Sequence, residues 1–123
     1  MPTTESFTEK TLSIDLTETD DRVELIWRGK SNDRDPARFL MPILQGALSR
    51  GGNGRKQVVI DFSALDYMNS STFSPLVRML DEAAKGQHRL VLEYNQGRKW
   101  QALSFSALKA FETPDGRIAL RGK

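Results

Sequence analysis

With 123 residues, 28% of them charged and 38% hydrophobic, the chain has the length and balance of one soluble globular domain. Its net charge of +2 is too small for the electrostatic footprint of a nucleic-acid binder. It contains no Cys and a single His, which excludes disulfides, thiol chemistry and Cys-ligated zinc.

The first residues, MPTTESFTEKT, lack the basic-then-apolar pattern of a signal peptide. No apolar run approaches the roughly 18 residues of a membrane helix. The expected setting is cytoplasmic, without membrane insertion.

Residues 1–10 are rich in Thr, Glu and Ser and read as a flexible arm. Leu12, Ile14 and Leu16 alternate with polar residues, and Val23, Leu25 and Trp27 do the same after a polar turn, which predicts a hairpin of two half-buried strands. Gly29 and the polar run after it are expected to end the second strand. A helix follows, with Asp35 as N-cap, Pro36 at its first position, and Phe39, Leu40, Ile43, Leu44, Ala47 and Leu48 on one stripe. Pro42 breaks that stripe, so the helix is either kinked or regular only from there. Residues 50–54, Arg-Gly-Gly-Asn-Gly, stop it.

Residues 57–85 organise the chain. Val58, Val59, Ile60 and Phe62 form an apolar, β-branched run that predicts a strand covered on both faces. Phe73, Leu76, Val77, Leu80, Ala83 and Ala84 then recur at helical spacing. A strand at 88–94, a helix carrying Trp100, Leu103, Phe105, Leu108 and Phe111 on a broad apolar face, and a short strand at Ile118 and Leu120 complete the chain. The order ββαβαβαβ predicts an α/β fold, a mixed sheet whose central strands are parallel and packed by helices, in a single domain over 1–123.

Catalytic and metal motifs are missing. His88 precedes a strand beside Arg89 and reads as a surface residue, not a triad member. Asp20, Asp21, Asp33 and Asp35 lack calcium-loop spacing. The glycines at 51, 52 and 54 follow a helix and precede a strand, the inverse of a phosphate loop. No metal, cofactor, nucleic acid or enzymatic activity is expected. What remains is Asn69-Ser70-Ser71-Thr72 at a helix start. These residue types cap free amide donors. The same donors and the helix dipole would also receive a phosphoryl group.

The stretch VVIDFSALDYMNSSTFSPLVRML resembles the core of STAS domains, the bacterial anti-sigma factor antagonists. Their pattern is a hydrophobic strand with Asp, a short turn to Asp-Ser-Ser/Thr-Gly-Leu, and a helix. The whole order of elements matches as well. The resemblance implies a non-enzymatic regulator whose partners are a serine kinase acting as anti-sigma factor and a cognate phosphatase. It places the phosphoacceptor on Ser70, flanked by Asn69, Ser71 and Thr72. It places an acidic position after the second strand's Gly on Asn32, with Asp33 adjacent. Asn32, Asp33, Ser74, Arg78 and Asp81 are the expected partner contacts. Arg78 with Glu82, and Asp81 with Lys85, are spaced to pair on the helix. The chain departs from the pattern with Asn69 for Asp and Thr72 for Gly, and Pro75 follows closely. The alternatives are an unphosphorylated STAS-like subunit of a larger complex, such as a lipid-transport ATPase, a serine-nucleophile enzyme, and a nucleotide sensor.

Overall fold

The computed structural model describes residues 3–123. Its strands are β1 (Thr3–Glu9), β2 (Leu12–Glu18), β3 (Arg22–Ser31), β4 (Gln57–Asp61), β5 (Leu65–Met68), β6 (Arg89–Tyr94) and β7 (Ile118–Gly122). Its helices are α1 (Ala37–Gly51), α2 (Phe73–Lys85) and α3 (Lys99–Leu108). All seven strands join one sheet in the order β1-β2-β3-β4-β6-β7, with β5 attached to β3. The β1–β2 and β2–β3 pairs are antiparallel, and every other pair is parallel. The mixed α/β sheet with a parallel middle is therefore the one the sequence predicts, with two strands added.

The first added strand is β1. Residues 3–9 pair along their whole length with β2, so this part of the expected arm is an edge strand; residues 1 and 2 lie outside the described residues. It has no hydrophobic alternation because it is an edge strand with little core to cover, and only Phe7 packs against the buried cluster. The second is β5, four residues with an exposed pair, Asp66 and Tyr67, between buried Leu65 and Met68. That pattern has no period of two because the register slips there: Gly29 faces Leu65 and Lys30 faces Tyr67, leaving Asp66 unpaired. Gly29 does not end β3. With φ of 89° it stands opposite the bulge in β5 and the strand continues to Ser31, and an added Cβ would strike the Thr11 carbonyl oxygen.

Leu16, Leu25, Ile60, Leu92 and Leu120 face one another in register across β2, β3, β4, β6 and β7, and all are buried. The helices place their buried residues on this face, including Leu40, Leu44, Leu76, Leu80 and Phe105. Val59 and Val91 face each other on the opposite side of the sheet, buried yet outside the core cluster. The apolar run of β4 thus reflects its position in the middle of a wide sheet, with helices on one face.

Pro36 stands just ahead of α1 and its carbonyl accepts from the amides of Phe39 and Leu40, at 3.2 and 2.9 Å. Asp35 is not the cap: its own amide donates to Asp33 Oδ1 at 3.2 Å. The helix runs through Pro42, which sits in its second turn on the exposed side. In α3 the apolar residues divide between two faces. Phe105 and Leu108 are buried, whereas Leu103 is 76% exposed.

The carboxyl ends of β4 and β6 place Asp61 beside Glu93. Lys123 Nζ bridges them at 2.9 and 3.3 Å, and Ser63 donates its amide and hydroxyl to Asp61. Burial pushes the Asp61 carboxyl up, but the Ser63 and Lys123 hydrogen bonds outweigh it and hold the group below its usual range. A carboxyl lowered in the folded state stabilises the fold above its unfolded value of about 3.9 and loses that contribution as pH falls through the folded value. Replacing Lys123 by Met leaves two adjacent carboxylates uncompensated. The expected cost is about 1 kcal/mol at pH 7, since Lys123 is half exposed, shrinking toward zero below about pH 4. Urea unfolding at the two pH values checks it; a cost independent of pH refutes the bridge.

Candidate functional site

The parallel strands β3 and β5 end side by side, and the segments that follow them meet. The amide of Asn69 donates to the Ser31 carbonyl at 2.9 Å. A 3₁₀ turn over Ser70–Thr72 then leads into α2, with Asn69 as N-cap. Loop ends beyond the carboxyl edge of a parallel sheet are where α/β folds commonly bind ligands.

The side chains of this corner form a closed polar lock. Asn69 Oδ1 accepts from the Thr72 amide at 3.1 Å and from the Thr72 hydroxyl at 2.7 Å. Asn69 Nδ2 donates to the Asp33 carbonyl at 2.7 Å. Ser31 Oγ lies 2.7 Å from Thr72 Oγ1. Thr72 has one hydroxyl hydrogen, which it gives to Asn69, so Ser31 is the donor in that pair. Ser31 and Thr72 are both buried.

The two departures from the STAS pattern therefore fit one another. An Asp in place of Asn69 would turn an acceptor oxygen toward the Asp33 carbonyl. A Gly in place of Thr72 would leave Ser31 facing nothing.

Ser70 and Ser71 are exposed, and among the described residues neither hydroxyl has a hydrogen-bond partner. The four polar residues thus separate into two that build the turn, Asn69 and Thr72, and two whose hydroxyls are free. Asn32 and Asp33 lie alongside. Asp33 is tied to Asn69 through its carbonyl and stands 3.8 Å from Lys10, and Asn32 Oδ1 accepts from Thr11 at 3.5 Å. Ser74, Arg78 and Asp81 are exposed and follow Ser70 at helical spacing along one ridge of α2. Asp81 is the outlier, roughly 16 Å along the axis from Ser70. It pairs with Lys85 at 3.0 Å. The expected Arg78–Glu82 pair does not form; Glu82 accepts from Gln45 on α1 at 3.4 Å.

Sequence reasoning missed Ser31, the buried partner of Thr72, and Tyr67, 48% exposed on β5 two residues before the loop. Ser31 lay hidden because Gly29 reads as a strand stop. No signal marks Tyr67 as exposed between Leu65 and Met68.

The corner holds no histidine. His88 lies beyond the far end of α2, a 13-residue helix away from Ser70, roughly 20 Å. Burial first, and the Arg117 charge second, lower its pKa. It is half-buried, and its Nδ1 has no hydrogen-bond partner. A serine hydroxyl without a neighbouring histidine lacks the usual general base of a nucleophilic serine. No group of three or more potential metal ligands occurs among the described residues. No described helix is long and apolar enough to cross a membrane.

This sheet order, with a polar turn leading into α2, is a SpoIIAA-like fold, similar to that of STAS domains. Its structural neighbours include SiaC of Pseudomonas aeruginosa, 15% identical with a TM-score of 0.64, covering 98% of this chain and 99% of that one. SiaC also matches as solved in complex with the diguanylate cyclase SiaD, which it activates, at 16% identity and TM-score 0.58, covering 97% and 99%. An anti-sigma factor antagonist from Mycobacterium paratuberculosis matches at 14% identity and TM-score 0.61, covering 86% and 90%. A Shewanella loihica protein of the DUF3478 family, with a SpoIIAA-like fold, matches at 16% identity and TM-score 0.57, covering 97% and 90%. No family model and no curated protein sequence matches the chain.

Proposed function

We propose that this chain is a non-enzymatic regulator that binds a partner protein through loop 69–72 and the exposed ridge of α2, and that phosphorylation of Ser70 switches the binding. The observation that carries the reading is the division of the loop. Its capping and buried positions are fully engaged, and Ser70 and Ser71 are left exposed with free hydroxyls. A phosphoryl group there adds a charge of about −1.5 to −2 at a helix N-terminus without disturbing the lock. The same group alters the contact ridge that begins at Ser74. Two neighbours of the same fold, an anti-sigma factor antagonist and a cyclase activator, are regulators of other proteins. A cytoplasmic setting, a serine kinase of the anti-sigma type and a phosphatase belong to this proposal.

Incubation with such a kinase from the same genome and ATP, followed by mass spectrometry, is expected to modify Ser70 and to spare Thr72, whose hydroxyl is buried. Ser70→Asp is expected to weaken the complex at least about tenfold, about 1.4 kcal/mol, whereas Ser70→Ala keeps it. If all three hydroxyls stay unmodified by an active kinase, the switch is wrong. The departures at Asn69 and Thr72 favour one second reading, a constitutive subunit of a larger complex. Equal affinities of the Ser70→Ala and Ser70→Asp forms for their partner would select it.

A further inference from the structure

Helix α3 carries more apolar surface than its own chain uses. Gln101, Phe105 and Leu108 face inward. Trp100 is half-buried, and Leu103, Ala107 and Ala110 are exposed, Leu103 at 76%. These four fall at spacings of three, four and three, the pattern of a helix-pairing seam. Ala110 lies in the 3₁₀ turn Lys109–Phe111 that extends the helix. No acidic residue occurs between Arg98 and Phe111, so no carboxylate interrupts the seam.

We propose that this face is a self-association surface, on which two copies of the chain pair their α3 helices antiparallel about a two-fold axis level with Phe105. Residues 103 and 107 lie equally far from that level, as do 100 and 110. In this arrangement Leu103 of each copy meets the small Ala107 of the other, and Trp100 meets Ala110. Large residues face small ones at every step, which is the self-complementarity an isologous contact requires. The charges agree. Lys99 precedes the seam and Glu112 follows the turn that closes it, so antiparallel pairing sets the Lys99 end of each copy beside the Glu112 end of the other. Among the described residues neither group is in an ion pair within its own chain. Glu112 spends one oxygen on the Leu120 amide, at 2.9 Å, and keeps the other. The seam is short, roughly 15 Å from residue 100 to 110. It therefore builds a weak, concentration-dependent dimer and not an obligate one. The proposal is independent of Ser70 and of the partner it serves.

Sedimentation velocity over a concentration series tests it on the whole chain. The weight-average mass is expected to rise from one chain toward two, and to stay at one chain in Leu103→Asp, an exposed change that leaves the core intact. A chain that is monomeric at every concentration overturns the proposal, as does association that survives Leu103→Asp. The absence of Cys allows the register to be read directly. In an equal mixture of Leu103→Cys and Ala107→Cys chains under mild oxidation, cross-links between the two variants should exceed those within either by well more than the twofold that random pairing gives. Yields at or below the random ratio of two mixed cross-links to one of each like kind overturn the antiparallel arrangement. Association that instead requires anionic phosphatidylglycerol vesicles, or an added acidic amphipathic peptide, also overturns it, by assigning the face to another occupant.

Discussion

Phe62→Ala is expected to lower stability by about 3–5 kcal/mol and the melting temperature by on the order of 10–20 °C. Phe62 follows β4 directly and is fully buried. Its ring centroid lies 4.7 Å from that of Trp27 on β3 and 4.8 Å from that of Phe105 on α3. Phe105 in turn stacks on Tyr94 of β6 at 5.5 Å. One side chain thus joins the two central strands and α3 beneath the turn that leads to β5 and the site. The backbone around it is fastened as well. Gln101, buried on α3, donates Nε2 to the carbonyls of Phe62 and Leu65 at 2.8 and 2.9 Å and accepts from the Asn95 amide at 2.7 Å. With the polar frame held in place the ring's volume cannot be refilled by collapse, which favours the upper part of the range. Leu103→Ala serves as the control: an exposed Leu on the same helix should cost less than about 0.5 kcal/mol in dilute protein. Chemical denaturation of both variants decides the matter, and a Phe62→Ala loss under about 1 kcal/mol would show that the aromatic cluster is not a keystone.

The elements that sequence reading located are those in which one physical demand dominated. In β2 and β3 the alternation of Leu12, Ile14 and Leu16 with Val23, Leu25 and Trp27 records a sheet with a single helix-covered face. The unbroken run Val58–Ile60 and the 3.6-residue spacing in α2 record central burial. The missed strands are those in which two demands compete. β1 is an edge strand with one core-facing aromatic, Phe7, so its composition reads as a polar tail. β5 gives up alternation to a bulge opposite Gly29, and the same glycine hid the extension of β3 that brings Ser31 to the site. In α3 the apolar residues were legible, but their division into an inward and an outward face was not, because the inward face carries the polar Gln101 and the outward face the apolar Leu103. At the site, position and capping chemistry could be read from residues 69–72. Which hydroxyls are free could not, since that depends on Ser31, 41 residues from Thr72.

Asn69→Asp, which restores the residue of the STAS pattern, is expected to destabilise this chain by about 1–3 kcal/mol at neutral pH. The new carboxylate still accepts from the Thr72 amide and hydroxyl, as Oδ1 does now. Its second oxygen replaces Nδ2, which now donates to the Asp33 carbonyl at 2.7 Å, and so sets two acceptors against each other. A charged cap is favoured by the helix dipole, worth roughly 0.3–1 kcal/mol, which offsets only part of the loss. A proton on that oxygen restores a donor to the Asp33 carbonyl, so folding raises the introduced carboxyl's pKa above its unfolded value of about 3.9. A group raised on folding contributes its stability below the unfolded value and loses it as pH rises through the folded value. The deficit relative to the parent chain should therefore nearly vanish near pH 3.5 and grow to its full size by neutrality, the opposite of an ordinary carboxylate cap. Paired unfolding measurements from pH 3.5 to 7.5 provide the test. A variant as stable as the parent at pH 7, or one that loses ground on acidification, would mean that the dipole outweighs the carbonyl. Asn69 would then be interchangeable with the Asp of the STAS pattern and would not be a requirement of the lock formed by Ser31, Asp33 and Thr72.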